Sequence, residues 1–202
     1  APLWKLLADA AKPGAETPSA EAVRAAVEAD PDAPGGPFAA PGGWAPKFGA
    51  VVRLRPGLDE KNRLHAGEVA AVTRVNYVGE SFDVKRLRDG KPKGDSMDHI
   101  PAADLVHGFD GMLPATAALV LASSDDAAMA LVEATPADAV GADGRTPLHH
   151  AAAFARSAAL ARRLLAFEPA WAKRVDADGK SAFELLPSTS SEEQAAVLFE
   201  AC

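Results

Sequence analysis

The apolar positions of the chain change their period twice. Residues 1–30 follow a helical spacing. Leu3, Leu6, Leu7 and Ala10 share one face of a helix opening at Pro2, where proline suits a first turn, and Pro13-Gly14 stops it. A second start comes at Thr17-Pro18. Glu21 stands in its first turn, where negative charge suits the helix dipole, and Ala22, Val23, Ala26 and Val27 form its apolar stripe. Asp30-Pro31 ends it. The pattern predicts a helix pair over 1–30, and the Pro/Gly-rich run 31–46 reads as a linker.

From Lys47 the apolar runs shorten. Val51, Val52 and Leu54 precede a Pro-Gly turn; Val69, Val72 and Val75 follow. Phe82, Val84 and Leu87 then alternate in part with charge up to the Asp89-Gly90 turn, and "HIPAADLV" closes the segment. Short runs of this kind, separated by turn signals, predict a small antiparallel barrel over 47–107. Helical spacing returns from Gly108, now with a repeat. Gly111 and Gly144 stand 33 residues apart, as do Pro114 and Pro147, and Gly144 and Gly179 stand 35 apart. Each turn is followed by two helical stretches: 114–123 and 125–134, 147–154 and 157–167, 183–186 and 191–201. Ser190 and Glu193 have capping-box spacing before the last stretch.

Composition sharpens this picture in two places. Alanine supplies much of the 48% hydrophobic content and aromatics only 6%, which favours small, closely packed helices over one large mixed core. The net charge of −7 is unevenly spread: residues 47–93 carry a net +5, residues 1–46 a net −3 and residues 94–202 a net −9. A basic module between acidic segments points to separate partners for separate segments. Cys202 is the single cysteine, which excludes an intrachain disulfide. No apolar run reaches the roughly 18 residues that a membrane span needs. Ala1 opens the sequence without a basic or apolar leader, the pattern of a processed or trimmed chain.

"DGRTPLHHAA" carries the one specific motif. Asp143, Gly144, Thr146, Pro147, Leu148, His149 and Ala151 resemble the ankyrin repeat, with weaker units before it (Leu113, Pro114, Ala115, Thr116) and after it (Ser181, Ala182, Phe183, Glu184). The resemblance implies about three repeats over 108–202, and the N-terminal helix pair loosely resembles another. The layout of 47–107 resembles an SH3-like barrel. Val52, Arg53, Arg55 and Pro56, then Gly67, Val69, Ala70 and Val72, then His99, Ile100, Ala102 and Leu105 resemble the small stromal barrel subunit of photosystem I. That family's Tyr-Trp after the first strand is replaced here by Gly57-Leu58-Asp59. Together these readings give an α+β fold: N-terminal helix pair, SH3-like barrel and C-terminal ankyrin-type solenoid.

The adjacent histidines invite a chemical reading, which their spacing does not support. Neighbours on a helix point about 100° apart, and a helical zinc pair needs i,i+4 spacing. His65, His99 and His107 complete no such motif. The resemblance gives His149 a fold-specifying role, bonded to the neighbouring turn. "DGKS" (178–181) lacks the upstream glycine of a phosphate loop, where Arg174 stands, and "DADG" (176–179) lacks the further ligands of a calcium loop. No nucleophile elbow occurs.

The expectation is therefore a non-enzymatic, cofactor-free interaction or scaffold protein. Arg145, Lys180, Met112 and His150 near the turn tips are its expected protein contacts. Arg53, Arg55, Lys85, Arg86, Arg88, Lys91 and Lys93 would form one positive face on the barrel for an acidic partner. Nucleic acid is not expected, because few aromatics are present to stack bases. Trp44 docks either on the barrel or on a neighbouring subunit. The alternative reading, implied by the second resemblance, is a peripheral subunit of algal photosystem I, on the stromal face of the thylakoid. Otherwise a soluble intracellular location is expected, with protein partners that include a multisubunit complex.

Overall fold

The computed structural model describes residues 2–10, 15–35, 37–40, 43–55, 58, 60, 61, 64, 65, 69–76, 79–88, 91, 92, 94–121, 124–188 and 190–201. Pro13-Gly14, Pro56, Gly57, Gly67, Tyr77, the Asp89-Gly90 turn, Lys93 and Cys202 lie outside them, as do the side chains of Arg88 and Lys91.

The described residues form seven α-helices, one large antiparallel sheet and a separate two-stranded pair. The helices are α1 (Pro2–Ala10), α2 (Ala20–Ala29), α3 (Pro114–Val120), α4 (Asp125–Ala134), α5 (Pro147–Ala153), α6 (Ala158–Phe167) and α7 (Glu192–Ala201). Their starts follow local chemistry. The side chains of Ser19, Ser124 and Ser157 each accept a hydrogen bond from the backbone N–H three residues on, and Pro114 and Pro147 open helices where no N–H is needed. The last helix is capped by Ser191, which accepts from Gln194 N–H at 3.1 Å, rather than by the expected Ser190.

The strands are β1 (Val51–Leu54), β2 (Glu60–Lys61), β3 (Leu64–His65), β4 (Val69–Asn76), β5 (Ser81–Arg88), β6 (Lys91–Pro92), β7 (Met97–Pro101) and β8 (Leu105–His107). β2 and β3 pair with each other, and the other six form one sheet of order β6-β5-β4-β1-β8, with β7 also on β5. A 3-10 turn, Ala102–Asp104, carries β7 into β8. No ladder joins these two among the described residues. The sheet curls over its own core of Val52, Leu54, Ala70, Val72, Phe82, Val84, Met97 and Ile100, and among the described residues its strand path does not close on itself where a small SH3-like barrel was expected.

The mixture of helices and antiparallel strands agrees with the sequence reading, but the C-terminal solenoid of three repeats does not form. Its third unit supplies only a 3-10 turn, Phe183–Leu185, where a first helix was expected. The helical layers instead begin at the other end of the chain: α2 packs on α4 and α1 on α3. α3 is buried along its whole length. Alanines at 115, 117 and 118 let its neighbours approach closely, and Leu119 and Leu121 fill what is left. α5 then packs on α3, α6 on α5 and α7 on α6.

Sheet and helices share a core. Val51, Val69, Ala71 and Leu87 belong to the same apolar cluster as Phe109, Met112, Leu119 and Leu148. Their sequence neighbours Val52, Ala70 and Val72 point the other way, into the sheet's own core. β1 and the first half of β4 are therefore covered on both faces, which is why "VVRL" and "VAAV" show no clean alternation of apolar and polar positions. Gly108, where the sheet gives way to the helices, has no room for a side chain: a Cβ there would collide with Val51 Cγ1.

Candidate functional site

The turns that precede α3 and α5 and follow Val175 stack on one another. Ala142 N–H donates to Gly111 O and Ala177 N–H to Asp143 O, both at 3.0 Å. Gly111 and Gly144 have φ of +72° and +71°. A Cβ would meet Ala142 Cβ at 2.8 Å in the first case and Ala177 N at 3.0 Å in the second, so both the backbone conformation and the close stacking call for glycine.

His149 ties two of these turns. Thr146 N–H donates to its Nδ1 at 3.3 Å and the Thr146 hydroxyl lies 2.8 Å from the same nitrogen, so Nδ1 is the acceptor. Nε2 therefore carries the hydrogen and donates to Lys180 O at 3.2 Å. The ring is neutral, in keeping with burial, which lowers its pKa against the raising pull of the Lys180 carbonyl and Asp176. Thr146 and His149 also form the reciprocal cap of α5.

Arg145 was expected as an exposed tip, but its side chain is only 12% exposed and donates through Nε to Asp176 Oδ2 at 3.0 Å. Asp176 also accepts from the N–H groups of Asp178 and Lys180, at 3.0 and 2.9 Å. This closes the "DADG" turn from inside. Burial works to raise the Asp176 pKa, but the bonds from Lys180, Arg145 and Asp178 outweigh it and hold the carboxyl below its ordinary value.

His150 and Met112, also expected as contacts, are 1% and 3% exposed. The His150 ring stacks near Phe154. Its Nε2 lies 3.6 Å from Asp143 Oδ2, beyond hydrogen-bond reach, and neither ring nitrogen has a partner. Burial first, then Arg145, His149 and Arg53, push its pKa down to about 4, against the raising charge of Asp143. Arg53 reaches this cluster from β1. It donates to Asp110 O, while its Nε is buried without a partner. Burial opposes its charge, Asp143 and Asp110 support it, and Arg145 works against it. Of the expected tip contacts, only Lys180 has an exposed side chain.

Among the described residues of the expected positive face, Arg53 and Arg86 do not lie together. Arg53 is opposite Val69, whose side chain meets the helices, and Arg86 is opposite Ala70, whose side chain enters the sheet's own core. The two arginines therefore emerge on opposite faces. Arg55 is exposed and its N–H bonds Asp104 O. Trp44 docks within the chain, on the sheet's core and 5.2 Å from the ring of His107. His107 also packs on Phe38 and Phe109, and it accepts Phe109 N–H through Nδ1. Burial lowers its pKa.

Sequence reasoning missed Asp143 and Asp176 as partners of the basic side chains. It also missed Val140 and Val175, at corresponding positions of successive turns. These are 38% and 56% exposed although apolar. Their only signal was an isolated valine before an Asp-Gly turn. Among the described residues no group of three His, Cys, Asp or Glu could hold a metal ion, and no helix is long and apolar enough to cross a membrane.

A mixed α and β protein with stacked turns on one edge is the class this geometry defines. No family model matches the chain, and no curated protein matches it.

Proposed function

We propose that the chain is an interaction or scaffold protein that presents the edge of its stacked turns to a protein partner. The carrying observation is the pair Val140 and Val175, exposed apolar side chains on turns held rigid by inter-turn hydrogen bonds, with the exposed Lys180 on the second turn. Exposed apolar groups on a fixed frame bind with little ordering cost. The ankyrin resemblance enters here as a proposal about the unit 143–155, supported by Pro147 in the first turn, the Thr146–His149 cap and the bond from His149 to the next turn. The peripheral photosystem I reading has only the strand motifs behind it, and its positive face is split by the register of β1, β4 and β5.

Quantitative affinity capture with the wild-type chain and a V140D/V175D/K180E variant tests the proposal. One or more proteins enriched by the wild type and lost with the variant, at unchanged circular dichroism and Tm, are expected. An identical enriched set for both chains would overturn the placement.

A further inference from the structure

The contact between the sheet and the helical layers has a polar centre that lacks part of its hydrogen bonding. From the sheet side come four apolar side chains of small to medium size, Val51, Val69, Ala71 and Leu87, and between them and the turns lies the Arg53 guanidinium. On the helix side stands His150, with both ring nitrogens unpartnered. Among the described residues, the charged and titratable groups that act most on His150 belong to this junction: Asp143 and Arg145 from the turn before α5, His149 from α5 itself, and Arg53 from β1. A neutral imidazole tolerates such a place. An imidazolium would sit dry in the field of Arg53 and Arg145, 3.6 Å from Asp143 and with no hydrogen bond to it.

We propose that His150 is a proton-operated latch: its protonation releases the sheet from the turns and the start of α5, while each side keeps its own core. The two cores make this separation feasible, since the sheet's inner face is filled independently of the helices. This inference does not rest on the partner reading above. The direction follows from linkage. His150 titrates at about 4 in the closed contact against 6.5 ordinarily, so the contact is complete above pH 6.5 and weakens as pH falls toward 4. Between pH 7.5 and 5 the opening equilibrium should rise about 30-fold.

The three methionines report the event. Met112 lies in the shared core, two residues past the carbonyl that Arg53 grips; Met97 is in the sheet's own core and Met129 in α4, and all three are buried. Peroxide oxidation of thioethers needs exposure and is insensitive to pH in this range. The full chain is treated with dilute peroxide at pH 7.5 and pH 5, and each methionine is quantified by peptide mass spectrometry. Met112 should oxidise up to about 30-fold faster at pH 5, with Met97 and Met129 unchanged. In H150L, or in H150Q should the first not fold, the His150 part of the Met112 pH dependence should be lost, leaving at most the smaller part that His107 contributes from β8. Unchanged Met112, or all three rising together as in global unfolding, or a pH response in the folded variant as large as the wild type's, would overturn the proposal.

Discussion

Asp176 offers the most direct test of how the turns are held. Its carboxylate is almost wholly buried and accepts three hydrogen bonds: two from the backbone of its own turn and one from Arg145. Asp176→Ala removes all three and leaves the guanidinium with Asp143 alone, 4.0 Å away. Hydrogen bonds to a charged group contribute about 1.5–3 kcal/mol each, but turn N–H groups partly recover water, so the net cost should be roughly 3 kcal/mol. Asp176→Asn separates the parts. Its amide oxygen can still accept both turn N–H groups, and only the ion pair is lost, at about 1–2 kcal/mol. For a chain of this size about 2–4 °C accompanies each kcal/mol, giving Tm losses of roughly 6–12 °C for alanine and 2–8 °C for asparagine. Thermal and urea unfolding followed by circular dichroism measure both. A cost for Asp176→Ala below about 1 kcal/mol, or equal costs for the two variants, would refute the assignment of Asp176 as the closing group of the turn.

Other outcomes follow from the same geometry. Gly144→Ala meets both a positive φ and Ala177 N at 3.0 Å, whereas Gly94→Ala meets only the positive φ, with open space around it. The first should cost about 2–3 kcal/mol and the second about 1 kcal/mol by urea denaturation. Arg145→Glu places a carboxylate beside Asp176 and should lower Tm by several degrees, while Lys180→Glu, on an exposed side chain, should leave Tm within a degree or two. Stability should also fall as the pH drops below about 6.5. His107, His149 and His150 all have lowered pKa values, so their contribution is present above about 6.5 and is lost as pH falls. Urea midpoints at pH 7.5 and 5.5 check this, and an unchanged midpoint would count against their burial as neutral rings.

Much of the secondary structure was readable because the deciding signals are local. α4 follows its expected bounds and α5 and α6 lie within a residue of theirs, since proline, serine caps and 3.6-residue spacing act within one turn. The strand runs at 51–54, 69–76 and 81–88 were readable for the same reason. The packing of α1 and α2 on α3 and α4 was not. It joins segments about a hundred residues apart through alanine-rich faces that carry almost no address. The lack of alternation in "VVRL" and "VAAV" was the available sign that a second layer covers the sheet. At the candidate site, His149 was legible from its motif. Arg145 and His150 were read as exposed because they flank a turn, yet what buries them lies elsewhere in the chain: Asp176, 31 residues beyond Arg145, and the junction with the sheet that brings Arg53 close.

The proposal that the turn edge receives a protein partner meets its most direct test in a hydrogen-exchange footprint of the chain with a protein it captures. Binding at this edge predicts slowed exchange at residues 139–145 and 174–181, with β5 and α7 unaffected. Protection confined to the sheet or to the outer helices, with those two turns exchanging as in the free chain, would contradict it.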